Sequence, residues 1–230
     1  MAIGSVTVGS VEIVPLSDGT GRFPAANVFP TVSTAEWARH PEALSPDGEL
    51  TTNFGCFLLR SGGKTVLVDT GAGPERAGRL PRELDRLGVR PEDVSVVVIT
   101  HLHPDHVGWN LRRDGGRARL TFPKAQYRIS RYDWEHFRRP DIIENAVHVR
   151  DQVLPLRDLA ALDLVEGETA VTSELTMVPT PGHTPGHMSV AIHSQGERAF
   201  ILGDVVNFPF QVEETAWEIV FDTDPQLARR

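Results

Sequence analysis

Three histidines and an aspartate crowd into six residues of this chain, in the run Thr100-His-Leu-His-Pro-Asp-His-Val-Gly108. The run follows directly on Val94-Ser-Val-Val-Val-Ile99. A short, nearly continuous apolar stretch of that kind is the mark of a strand buried on both faces. Whatever fold the chain adopts must therefore deliver these polar residues to the C-terminal end of a central strand. Alternate residues of an extended backbone point the same way, so His101 and His103 can meet one metal ion. Pro104 bars regular pairing and turns the chain, which aims Asp105 and His106 at a second point nearby. Imidazole nitrogen and carboxylate oxygen are the ligands that zinc and related divalent ions prefer. A polar surface loop assembled by chance is a poor account of such density.

Two later segments extend the pattern. Thr180-Pro-Gly-His-Thr-Pro-Gly-His187 places His183 in a loop after the strand Leu175-Thr-Met-Val178. Leu202-Gly-Asp-Val205 places Asp204 at the end of another apolar strand. Several strand ends feeding one edge make a rigid site. Strands recur throughout: a pair around Gly9 within Ser5–Val14, a hairpin of Phe54–Leu59 with Thr65–Val68, and another of Met188–Ile192 with Arg198–Leu202. A helical pattern over 75–87 (Leu80, Leu84, Leu87) closes at Gly88. Residues 17–50 read as a Gly- and Pro-rich loop with a short helix at Thr34–Arg39, a length that suits the cover of a binding site. These elements predict an α+β fold, two sheets packed together with helices outside: a four-layer αββα sandwich in one domain over 1–230.

Composition removes other classes. With 230 residues, 40% hydrophobic and 23% charged, the chain is globular in character. No apolar run approaches the roughly 20 residues that cross a bilayer. The start, Met1-Ala-Ile-Gly-Ser-Val, lacks the basic cap and apolar core of a secretory signal, and the single Cys56 forms no internal disulfide, so a cytoplasmic setting is expected. Cys56 lies in an apolar strand and reads as core rather than nucleophile. A net charge of −8, with Lys64 and Lys124 as the only lysines, argues against a nucleic-acid partner and for a small-molecule substrate.

Val68-Asp-Thr-Gly71, the HxHxDH run His101–His106, Pro181–His187 and Gly203-Asp204, in that order across 53–206, resemble the metallo-β-lactamase-fold hydrolase superfamily. The resemblance implies that His101, His103 and His183 hold a first metal, that Asp105 and His106 hold a second, and that Asp204 bridges both. It implies that Asp69 is buried and supports the ligand loop from behind. Two divalent ions follow, zinc first, with iron or manganese as alternatives. A hydroxide held between them attacks a carbonyl or phosphoryl centre, and Asp105 handles the proton. Hydrolysis of an ester, lactone or related bond is the leading reading. The segment Phe221-Asp-Thr-Asp-Pro225 looks most like the branch of lactonases and organophosphate hydrolases. Some lactonases of that branch carry a tyrosine three residues after the bridging aspartate, where this chain has Asn207. The alternatives are a phosphotriester hydrolase of the same fold and a mononuclear iron oxygenase acting on sulfur compounds.

Other residues receive plainer readings. His187 is expected to pack behind the ligands, and His40, His136, His148 and His193 to be structural or surface residues. Asp133, Glu135 and Asp141 read as a solvated face. Trp109, Asn207 and Phe208 follow ligand segments and are candidates to line a substrate pocket. Members of the superfamily carry one further histidine downstream of the bridging aspartate, and no histidine follows His193 here. Asp224-Pro-Gln-Leu-Ala-Arg-Arg230 opens like a capped helix. The expectation is a longer parent chain holding a further helix, strand and last ligand, so that the second metal site is weakened and an uncovered sheet edge favours pairing into a homodimer.

Overall fold

Period-two burial organises the structure, a computed structural model that describes residues 4–230. The chain enters through β1 (Val6–Val8), β2 (Val11–Pro24), β3 (Glu49–Ser61), β4 (Lys64–Val68) and β5 (Val96–Val98). A hairpin of β6 (Leu111–Asp114) and β7 (Arg117–Leu120) stands apart. Then β8 (Gln126–Ser130) and β9 (Leu162–Val165) complete a seven-stranded sheet in the order β1-β2-β3-β4-β5-β8-β9. The pairs from β1 to β4 are antiparallel, and those from β4 through β5 and β8 to β9 are parallel. A second, antiparallel sheet holds β10 (Thr169–Ala170), β11 (Leu175–Pro179), β12 (Met188–Ser194) and β13 (Glu197–Ile201).

Alternate side chains divide between two cores. Leu59, Val66, Val68, Val96 and Val98 meet Met177, Val190, Ile192 and Ile201 between the sheets. Leu58, Leu67, Val97 and Ile129 face the other way, onto Leu80, Leu84, Trp134, Val149 and Leu156 from the helices. Thus β5 is buried on both sides, as its unbroken valine run predicts. On the second sheet Ile201 points inward while its neighbours Phe200 and Leu202 remain 45% and 40% exposed. Among the described residues no helix is long and apolar enough to cross a membrane.

Two expectations need correction. The Gly-rich stretch after Ser17 is not loop throughout: β2 continues past a bulge at Ser17/Thr20 and pairs Thr20–Pro24 with Glu49–Asn53. Cross-strand partners, invisible to local propensity, decide it. The helix of 75–87 is shorter, Leu80–Arg86, preceded by a 3₁₀ turn at Pro74–Arg76, because Ala77 adopts a left-handed conformation and breaks the run. The helix near Thr34 is present as Thr34–Trp37, with Ser33 and Glu36 forming a capping box. A third core of Phe29, Trp37, Phe208, Phe210 and Trp217 pins the 25–50 segment to residues 207–219.

Candidate metal centre

Every ligand segment leaves the C-terminal end of a strand, and parallel pairing of β4 with β5 sets Asp69 beside Thr100. His101 Nε2 lies 3.0 Å from His103 Nδ1, and His183 Nε2 lies 2.9 Å from the same atom. Asp204 Oδ2 stands 3.4 Å from His183 Nε2 and 3.8 Å from His101 Nε2. Tetrahedral zinc with bonds of about 2.0–2.1 Å separates its ligand atoms by about 3.3 Å. These four side chains therefore have the spacing of one cation's ligands. The other oxygen, Asp204 Oδ1, is 3.4 Å from His106 Nε2, and Asp105 Oδ2 is 3.8 Å from that nitrogen. His101, His106 and Asp204 form a second convergent group, with Asp105 at its side.

Hydrogen bonds fix which nitrogen each ring presents. Asp69 accepts from Thr100 N–H at 2.7 Å and from the Thr100 hydroxyl at 2.8 Å. That hydroxyl, its proton committed, accepts from His101 Nδ1–H at 3.1 Å. Asp69 also accepts from His106 Nδ1–H at 2.9 Å, and Asp222 accepts from His183 Nδ1–H at 2.9 Å. In all three rings Nδ1 is thereby engaged, and Nε2 is the nitrogen turned toward the centre. Burial, reinforced by the neighbouring histidines, pushes His101 toward its neutral form and His103 down to about 3. His106 goes the other way: burial opposes its charge, but Asp204, Asp69 and Asp105 outweigh it and raise it well above the usual imidazole range. Burial would raise Asp204, yet His106 and His183 hold it well below the usual carboxylate range. The neutral imidazoles of His101 and His103 beside an ionised Asp204 are donors that fit a divalent cation, whereas a cation at His106 would have to displace the proton that its three carboxylate neighbours favour.

Behind the ligands stand residues that local spacing did not reveal. Asp133, expected on a solvated face, is fully buried. It accepts from Leu102 N–H at 3.3 Å, the Thr184 hydroxyl at 2.8 Å and Gly186 N–H at 2.6 Å, tying both histidine loops together. Burial raises its carboxyl to about 6 against the pull of those bonds. His187 is no ligand here: its Nε2 accepts from Asp204 N–H at 3.0 Å, and its Nδ1–H donates to the Thr180 hydroxyl at 2.9 Å. Gly203 makes room for it, since a Cβ there would sit 2.6 Å from His187 Nε2. His148 donates to the Leu102 carbonyl at 2.8 Å, and His40 bonds Glu214 at 2.9 Å, both structural as expected. Cys56 is core, and burial pushes its thiol up.

A cavity of about 260 Å³ opens beside the centre, lined by Phe23, Phe54, Phe208, Ile219 and Phe221 with Thr52, Arg76, Asn207 and several of the ligands. Asn207 and Phe208 are thus where the sequence put them, and Asn207 donates to Asp204 Oδ2 at 2.8 Å. Trp109 is not: its indole N–H donates to buried Asp18 at 2.9 Å, which turns the ring away from the cavity and into the helix-side core. Behind Phe208 the ring of Phe210 stacks at 5.3 Å and backs the cavity wall.

Residues 56–228 match the family model described as Metallo-beta-lactamase superfamily. An N-acyl homoserine lactonase of Bacillus cereus is 26% identical over 175 residues, covering 66% of this chain and 63% of its own. The N-acyl homoserine lactonase AiiA of Bacillus thuringiensis subsp. kurstaki is 25% identical over 210 residues, covering 81% of this chain and 76% of its own. This chain thus spans less than two thirds of the length of the first relative. Among solved structures, the dizinc quorum-quenching lactonase AidC, bound to its product N-hexnoyl-L-homoserine, superposes with a TM-score of 0.80 at 22% identity, covering 98% of this chain and 82% of its own.

Proposed function

The chain belongs to the metallo-β-lactamase superfamily, and from that premise we propose that it is a metal-dependent hydrolase opening a lactone or a related ester. One observation carries the reading: the two oxygens of Asp204 face different histidine groups, Oδ2 toward His183 and His101 and Oδ1 toward His106. A carboxylate so divided is suited to join two cations. His101, His103 and His183 would hold one, and His106 with Asp105 the other, zinc being the first expectation. Such a pair supplies water of lowered pKa and positive charge where an oxyanion develops.

The chain's own groups do the rest. Asp105 lines the cavity with a side chain 25% exposed, so it can touch substrate. It takes a proton from the attacking water and returns it to the leaving oxygen. Asp69, Asp222 and the Thr100 hydroxyl hold the Nδ1 side of each ring, so that Nε2 stays the nitrogen offered to a cation. The aromatic wall of Phe23, Phe54, Phe208 and Phe221 accepts an apolar body and excludes bulk water. Lactonase activity in the two Bacillus relatives supports a lactone as the substrate class. The test is metal analysis of the purified protein combined with a panel of lactones, aryl esters and phosphotriesters. Two ions per chain and fastest turnover on a lactone are expected. Iron alone, with oxygen consumption on thiols and no hydrolysis, would overturn the reading.

A further inference from the structure

We propose that the cavity is made for a substrate bearing a carboxylate, with Arg76 as the residue that binds it; the inference rests on the hydrolase reading above and names the substrate class of that same site. Arg76 is the one Lys or Arg side chain lining the cavity. It makes no ion pair or side-chain hydrogen bond among the described residues, so its guanidinium is not already matched to a carboxylate of this chain. The cavity's own acids are already engaged: Asp105 stands beside His106, and Asp204 accepts from Asn207 as well as facing the histidines. Arg76 therefore offers five donors in a planar fork to whatever enters, and that fork matches a carboxylate bidentately.

The position of Arg76 is fixed by the fold rather than left to a loose loop. Its 3₁₀ turn, Pro74–Arg76, is clamped from both sides by one buried carboxylate. Asp18 accepts from Ala72 N–H at 2.8 Å and Gly73 N–H at 3.0 Å before the turn, and from Leu80 N–H at 2.5 Å after it. Gly73, at φ +85°, lies so close to the ligand turn that a Cβ would come 2.6 Å from the Gly108 carbonyl. The turn is thus pressed against the segment that carries Asp105 and His106. The guanidinium's charge reaches the ligand loop's support as well. Burial is the main force holding His148 toward its neutral form, and Arg76 adds to it.

Charge gives the arrangement its point. A chain of net charge −8 repels an anion at long range, so a local cation in a concave, apolar-walled site is what reverses the sign for an anionic substrate. The aromatic wall takes the apolar body, the metal-side residues take the scissile bond, and Arg76 takes the terminal charge.

The test compares two γ-lactones that differ only at the end of a four-carbon side chain, one a carboxylate and the other its primary amide. For the metal-loaded wild type, kcat/KM on the carboxylate exceeds that on the amide by about two- to fivefold, a size set by one exposed charge pair. In Arg76→Ala that ratio falls to about one, chiefly through KM; in Arg76→Glu it inverts; in Arg76→Lys part of it returns. An unchanged ratio in Arg76→Ala, or equal turnover of the two lactones by wild type, overturns the inference while leaving the hydrolase reading standing. If neither lactone is opened, turnover does not report on the subsite, and it is judged by binding. The metal-free protein is then titrated with 8-anilinonaphthalene-1-sulfonate and with uncharged N-phenyl-1-naphthylamine. Selective weakening of the anionic dye in Arg76→Ala supports the subsite; equal affinities in the two proteins overturn it.

Discussion

Asp69→Asn removes one charge and almost no volume, and the structure says what must follow. Three donors converge on this side chain: Thr100 N–H at 2.7 Å, the Thr100 hydroxyl at 2.8 Å and His106 Nδ1–H at 2.9 Å. A carboxylate serves all three, while an amide has a single oxygen. If that oxygen stays on Thr100 N–H, the amide NH₂ group faces both the hydroxyl and His106 Nδ1–H. His106 escapes the clash only by moving its proton to Nε2, the nitrogen that stands 3.4 Å from Asp204. The ring then presents a proton where a cation needs a lone pair. The opposite amide orientation confronts a buried backbone N–H instead. Residue 69 has φ +61°, a conformation Asn adopts readily, so the backbone itself is not disturbed. Losing a charge-assisted bond costs about 1.5–3 kcal/mol, and altering a residue behind a metal ligand weakens affinity by about 10- to 100-fold, two scales that agree. Zinc titration by calorimetry, with circular dichroism to establish the fold, is the assay. The cation at His106 should weaken by about that factor, with the His101–His103–His183 group less affected. Uptake of two ions by Asp69→Asn at wild-type affinity would refute the tautomer argument.

Three other outcomes are expected. Asp105→Asn should lower kcat by about a hundredfold or more with the circular dichroism spectrum unchanged; near-normal turnover would mean the proton is handled elsewhere. Asp133 has a folded carboxyl at about 6, above its unfolded value of about 3.9, so the native state binds more protons between those values. Its contribution to stability is therefore fullest below about pH 4 and falls by up to about 3 kcal/mol as pH rises through about 6. Urea unfolding of metal-free wild type and Asp133→Asn across that window should show stabilities whose difference changes with pH by about that amount, the other titrating groups being common to both; a pH-independent difference would refute the assignment. His187→Ala strands the Asp204 N–H and should cost about 1–3 kcal/mol in the metal-free protein. A loss within the error of chemical denaturation would show that water replaces the imidazole without penalty.

The convergent cluster was legible because its parts are local: spacing within His101–His106 and the strand ends before His183 and Asp204 carry the information in a few adjacent residues. The two-sided burial of β5 was legible for the same reason. What escaped was long-range. Asp133 sits among Tyr132, Glu135 and His136 and looks solvated, but its burial comes from Thr184 and Gly186, some fifty residues downstream. Asp18 lies in a stretch that reads as loop, and its donors arrive from Ala72, Gly73, Leu80 and Trp109. The same bond that hides Asp18 took Trp109 out of the cavity. Asp222 stood within a segment noted only for its likeness to a branch of the superfamily; its role as the acceptor for His183 needs the tertiary structure.

The two sheets contribute unequally spaced parts to one centre: His101, His103 and His106 follow β5 of the first, while His183 and Asp204 follow β11 and β13 of the second. Contacts so distant along the chain are among the last to become worth their loop-closure entropy during folding. Interactions absent from the transition state leave the folding rate almost untouched and act on unfolding instead. A cation gripped by both sheets would then be a lock on the exit from the native state. Its removal by a chelator should shorten the lifetime of the folded molecule, while the speed at which the chain first finds its fold should stay the same.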